Sequence, residues 1–304
     1  MLTRISEKAR FDTIAENVFN LQDTMSRVSD QLTTLKKINR PSDDPAGATM
    51  ALNLRSAGAS IQQYKENIIS GETWLKVTGL NLNSIKDLLT LAEGVAQDAQ
   101  GGSASDRVAA ADSLQSVSGQ ILSFANSKLN GRYMFSGSNT DTAPFPDSTS
   151  AYAGDSESLL INIGQNSSTA AYNIPGNAVF PASGGKVTVF EKLDALVAAL
   201  RKTNPSSTDS QVSTAIAAFK TASQDVQTLL QDNITKTTAM VSNLEFTDNH
   251  LTFLKARVEK MISTNEDADV SKLAMEFQMQ ALSLNASYTV AGKMNESSLL
   301  NFLS

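Results

Sequence analysis

One histidine, no cysteine and two groups of neighbouring carboxylates are what this sequence offers toward acid–base, thiolate or metal chemistry. His250 stands beside Asn249 inside a long helical pattern, where a surface or seam position explains it better than general-base duty. Asp43 and Asp44 precede Pro45. An aspartate followed by proline is the pattern of a helix N-cap with proline at the first helical position, so Asp44 is expected to cap and Pro45 to start a helix. Glu266, Asp267 and Asp269 form the densest acidic group. A Ca²⁺ loop of the EF-hand kind would need more oxygen ligands and a glycine at fixed spacing, so N-capping of a helix starting near Val270 is the better reading. Serines are plentiful, yet there is no Gly-x-Ser-x-Gly elbow and no phosphate-binding loop. The sequence therefore predicts no enzyme, no cofactor and no metal site.

The elements that would position these residues are helical. From Phe11 the apolar residues Phe11, Ile14, Val18, Leu21, Met25, Val28, Leu32 and Leu35 recur at alternating steps of three and four. That period of 3.5 gathers them on one narrow seam, which asks for a supercoiling partner helix. The last stretch, from Val270 to Leu303, supplies a second amphipathic helix with Leu273, Phe277, Ala281, Leu284 and Tyr288 on one side. Two end helices, each marginal alone in water, suggest a protein of assemblies.

Between the ends, Lys36 to Pro45 is punctuation. Lys36, Lys37 and Arg40 suit the negative end of a helix dipole, and Pro41 forces Arg40 out of helical backbone. A long heptad pattern then runs through Ile61, Tyr64, Ile68, Gly71, Leu75, Thr78, Leu82, Ile85, Leu89, Ala92, Ala96 and Ala99, with Trp74 off the seam, either marking a second contact face or, the better reading, simply packing. Gly101-Gly102 ends it, and Ser103 with Asp106 caps a shorter helix. From Gly131 to about residue 187 the chain is rich in Ser, Thr, Asn, Gly and Pro, with Tyr133 and Phe135 on one face of a short strand and alternating fragments at Leu159, Ile161 and Ile163. Its thin apolar content predicts a small surface appendage. Helix resumes at Thr188, paired with Glu191 as a capping box, and stops at Asn204-Pro205. The longest pattern follows, Val212, Ile216, Phe219, Ser223, Val226, Leu230, Asn233, Thr237, Met240, Leu244, Thr247, Leu251, Leu254, Val258 and Met261. Its helix would be about 75 Å long, fit to pair antiparallel with the one starting at Pro45.

Aromatics are 6% of the chain against 41% hydrophobic, an aliphatic balance that favours helices over sheets. The 304 residues allow two domains of ordinary size. The predicted fold is mostly α, a long coiled-coil helical bundle with a small β-rich insertion. It divides into an N-terminal assembly helix and linker (1–44), a rod in two parts (45–139 and 187–264), the insertion (140–186) and a C-terminal assembly helix (265–304). A net charge of −6 with scattered cations disfavours nucleic acid and anionic lipid, and no apolar run reaches the roughly 20 residues of a membrane span. Arg4, Lys8 and Arg10 are not followed by the apolar run of a cleavable signal, so export would need another route.

The string Asn39-Arg40-Pro41-Ser42-Asp43-Asp44-Pro45, the preceding heptad helix, Gly131-Arg132-Tyr133-Met134-Phe135-Ser136-Gly137 and the closing Leu299-Leu300-Asn301-Phe302-Leu303 together resemble the bacterial flagellin family. Within it, the prolines at 41 and 45 are more similar to the members at the hook–filament junction than to the filament subunit. The resemblance covers about residues 1–140 and 187–304 in organisation. It implies an extracellular flagellar protein whose copies form a ring through their terminal helices, between hook-associated protein 1 and flagellin. It also implies an export chaperone and passage through the flagellar type III apparatus without a cleaved signal. The alternatives are flagellin itself, or an intracellular coiled-coil scaffold.

Overall fold

The structure, a computed structural model, describes residues 2–148, 151–165, 168–202 and 205–303. These residues form α1 (Leu2–Thr34), α2 (Pro45–Asp98), α3 (Ala104–Ala125), α4 (Thr188–Leu200), α5 (Pro205–Glu266) and α6 (Val270–Leu303). Three antiparallel ladders join β1 (Lys128–Leu129) to β2 (Arg132–Tyr133), β3 (Leu160–Asn162) to β4 (Thr169–Ala171), and β5 (Ala182–Ser183) to β6 (Lys186–Val187). The fold is mostly α with a small β-rich insertion, as the composition predicts. Two compact units result, one of Met1–Ser60 with Leu254–Ser304 and one of Ile61–Phe253. No helix among the described residues is long and apolar enough to cross a membrane.

Local chemistry explains most boundaries. Ser103 and Asp106 form a full capping box, Asp106 N–H donating to Ser103 Oγ at 3.3 Å and Ser103 N–H to Asp106 Oδ2 at 2.9 Å. Asn130-Gly131 and Gly184-Gly185 make the two-residue turns of the β1–β2 and β5–β6 hairpins, and all four residues have positive φ, as such turns require. At α4 the expected capping box does not form. Val187 occupies the N-cap with no side-chain cap bond, because pairing with Ala182 holds it extended and burial fixes its side chain. Asn204, expected as a stop, lies outside the described residues; α5 opens at Pro205.

In the unit of 61–253 the seam positions of α2 and α5 do what their spacing predicts. Ile68, Leu75, Leu82, Ile85 and Leu89 are wholly buried, as are Phe219, Val226 and Leu230. The helices run antiparallel: Lys65 Nζ meets Asp248 Oδ1 at 2.8 Å, Lys86 Nζ meets Gln231 Oε1 at 2.6 Å and Gln227 Nε2 meets Glu93 Oε1 at 2.9 Å. Polar seam residues are buried and bonded. Thr237 donates to the Asn233 carbonyl at 2.7 Å, and Asn233 Nδ2 reaches the Ala178 carbonyl at 3.0 Å, tying the insertion to α5.

The insertion is more than an appendage. Phe145, Ile174, Val179 and Phe180 are fully buried in the same cluster as the helices. Phe180 stacks on Phe190 of α4 at 5.7 Å, and Phe145 meets Phe180 edge-on at 5.2 Å. A few large rings thus supply what the low apolar count concealed. Side chains, rather than long ladders, satisfy much of the loop backbone: Asn126 bonds both the N–H and the carbonyl of Phe145, at 3.0 and 2.6 Å. The Tyr152 hydroxyl donates to the carbonyls of Phe135 and Asp155, both 2.8 Å away, and burial pushes its pKa up to about 12. The expected strand through Phe135 ends at Tyr133, and Phe135 continues as buried loop. Trp74 is a packing residue, 5.9 Å edge-on from Tyr172.

Candidate functional site

The residues singled out at the two ends meet within one chain. α1 packs on α6. They run antiparallel, since Ala268 N–H donates to the Leu35 carbonyl at 3.0 Å while Gln22 Nε2, further along α1, donates to the Tyr288 hydroxyl at 2.7 Å. Val28 is covered to 1% exposure and Leu273 to 8%, whereas Ile14, Val18, Leu21, Met25 and Leu32 on α1, and Phe277 and Leu284 on α6, are half-buried. Tyr288 remains 48% exposed, its hydroxyl accepting from Gln22 Nε2. The Phe11 side chain lies outside the described residues.

Leu35 departs from the seam. α1 ends at Thr34, and Leu35 turns left-handed at φ 59° with its side chain exposed. This is the position after a helix that usually holds glycine. The turn is made so that the chain can pair sideways: Lys36 and Asp267 form an antiparallel bridge, with Lys37 N–H donating to the Glu266 carbonyl at 2.7 Å.

The linker folds as a chain of caps. Asp43 Oδ2 accepts from the N–H groups of Arg40 and Asn39 at 2.8 and 3.1 Å, closing a turn with Pro41 at its second position. The Arg40 amide, foremost, holds the Asp43 carboxyl below its ordinary 3.8. Asp44 Oδ1 accepts from Gly47 N–H at 2.9 Å, and Pro45 is the first residue of α2. Gly47 lets the Asp44 carboxylate and Ile38 close in, because a Cβ there would come within 2.6 Å of Ile38 Cδ1 and closer still to the Asp44 carboxylate, so both side chains would have to shift. Asn39 Oδ1 accepts from Thr34 Oγ1 at 2.7 Å.

Glu266 is the residue of the acidic group that sequence reading misassigned. It does not cap α6; it ends α5, is 4% exposed, and binds Arg55 Nη2 at 2.7 Å and Lys36 Nζ at 3.1 Å. The α5 stripe shifts to deliver it: Met261 is exposed while Ile262 is half-buried. Asp269 alone keeps the capping role, accepting from Lys272 N–H at 3.1 Å. Lys36 and Arg40, expected at the helix dipole, instead bond Glu266 and Asp30. Partners more than 200 residues apart leave no local signal. Among the described residues no three metal-ligating side chains converge. The arrangement supports adhesion between helices.

Residues 5–140 match the family described as the bacterial flagellin N-terminal helical region. The chain is 27% identical to flagellar hook-associated protein 3 of Escherichia coli K12, with 97% of this chain and 98% of that protein aligned. The chain is similar to hook-associated protein 3 over nearly its whole length. The same protein of Salmonella typhimurium is equally similar, 27% identical with 97% of this chain and 98% of the relative covered. A solved flagellar hook-associated protein from Vibrio parahaemolyticus superposes with a TM-score of 0.66 at 25% identity, over 74% of this chain and 100% of that one. The flagellin match takes in most of α1, the linker, α2, α3 and the β1–β2 hairpin, and it stops at residue 140. Likeness to hook-associated protein 3 extends over nearly the whole chain, so it is not confined to the flagellin-type region.

Proposed function

We propose that the chain is a structural adaptor of the bacterial flagellum that joins hook to filament, its copies forming a ring through α1 and α6. The observation that carries this is the seam between the end helices. One chain covers Val28 and Leu273 but leaves Ile14, Val18, Leu21, Met25, Phe277 and Leu284 half-exposed, and a seam of this period is completed by further helices. Similarity to hook-associated protein 3 over 97% of the chain supports the junction in particular. In this reading the proximal neighbour is hook-associated protein 1 and the distal neighbour is flagellin. An export chaperone holds the terminal region before passage through the flagellar type III apparatus, no signal is cleaved, and the role is extracellular and non-catalytic.

Electron microscopy of cells lacking the gene tests it. Hooks that fail to retain filament, with flagellin shed into the medium, are the expected result; normal flagella would overturn it. The second reading, a filament subunit, draws on the match of residues 5–140 to the flagellin region. It requires that the same cells make no filament and shed no flagellin.

A further inference from the structure

The face of α1 opposite its seam carries an organised stripe. Glu16, Phe19 and Asp23 follow one another at steps of three and four, with Asp12 one turn earlier, and all four are exposed, Phe19 to 69%. A bare aromatic ring with carboxylates above and below it is an apolar knob in an anionic frame.

The same unit holds a socket of the opposite kind. A cleft of about 570 Å³ opens between the linker and the first turns of α2. Ile38, Ala51 and Leu52 give it apolar walls, and Leu52 is 63% exposed. Three cations, Lys36, Arg40 and Arg55, line it against a single carboxylate, Glu266, which Lys36 and Arg55 already neutralise. Arg40 is left reaching outward, its side chain 73% exposed, and it already bonds Asp30 of the same α1 face at 3.5 Å.

The knob cannot fill its own socket. α1 is continuous from Phe19 to Thr34 at the cleft wall, a rigid separation of about 22 Å at 1.5 Å per residue. We infer that Phe19 of one copy, framed by Glu16 and Asp23, seats in the cleft of the next copy, with the carboxylates meeting Arg40 and Arg55. Knob and socket are different surfaces, so the contact is head-to-tail and repeats around a ring instead of closing a dimer. It rests on the self-assembly reading above and names the surfaces that reading leaves open.

Replacing Phe19 of the full chain by the photoreactive p-benzoylphenylalanine keeps an aromatic knob and reports its neighbour. In flagella isolated from cells making this chain in place of the wild type, irradiation should give a covalent dimer, and peptide mapping should find the second copy joined within residues 38–55. Leu52→Asp, on an exposed side chain, and Glu16→Lys with Asp23→Lys should each lower the dimer at least tenfold. Chain present in flagella but joined elsewhere, joined to another protein or not joined at all overturns the contact while leaving the assembly reading intact. So does a dimer yield that these changes leave untouched. Absence of the unsubstituted chain from isolated flagella overturns both.

Discussion

In the unit of 61–253 the heptad positions of α2 and α5 reach complete burial at Ile68, Leu75, Leu82, Leu89, Val226 and Leu230, whereas in the end unit only Val28 does so among the α1 seam residues whose side chains are described. Both sets are written with the same spacing of three and four. The central helices have α3, α4 and the aromatic residues of the insertion to complete a core, whereas α1 packs on α6. Identical periodicity therefore yields a finished core in one place and a half-covered seam in the other. The number of elements packed around a seam decides which, and the half-covered seam is the one proposed to bind further copies.

The sharpest way to break this comparison is to damage each region in turn. Phe180→Ala removes a ring that Phe145 and Phe190 both touch and should cost about 3–5 kcal/mol, lowering the melting temperature of the central unit. If instead its melting stays put, the insertion is an appendage after all. Val28→Asp puts a carboxylate where the side chain is 1% exposed, at a cost of several kcal/mol to the α1–α6 packing. Hydrogen exchange should rise across α1 and α6 and stay unchanged in 61–253, and cells making the variant should shed flagellin.

Smaller effects sharpen the picture of the linker. Glu266→Gln should cost about 1–2 kcal/mol, because Lys36 and Arg55 are half-exposed and can turn to water once the charge is gone. Faster exchange of the Lys37 and Ala268 amides would register it. Leu35→Gly should stabilise the end unit by about 0.5–1 kcal/mol, since it relieves a left-handed backbone and gives up an exposed side chain; a denaturant midpoint that falls would contradict this.

The mildest test is acid. Asp43, through the Arg40 amide, and Asp155, through the Ser138 hydroxyl, are both held below the ordinary 3.8. A carboxyl lowered on folding contributes above its unfolded value and loses that contribution as pH falls through the lower folded value. The Arg40 and Ser138 amides should therefore exchange more readily than their neighbours below about pH 4, one in each unit. Indifference to acid at either site would mean that its turn does not depend on the carboxylate.

By itself the sequence determined much of what depends on neighbours a few residues apart. The 3.5 period marked the seams of α1, α2 and α5; Asp44-Pro45 and Ser103–Asp106 marked helix starts. These are local because helix geometry, caps and turns are fixed by backbone chemistry within one or two turns. Only the tertiary structure decided that Leu35 leaves the seam, that Glu266 binds Lys36 and Arg55 instead of capping α6, and that Phe145 and Phe180 belong to the core. Each of those outcomes turns on a partner far away in the chain: the strand-like bridge to Asp267, two cations more than 200 residues distant, and the ring of Phe190 on α4. A buried charge or ring is specified by what surrounds it in space, and periodicity along the chain carries no record of that.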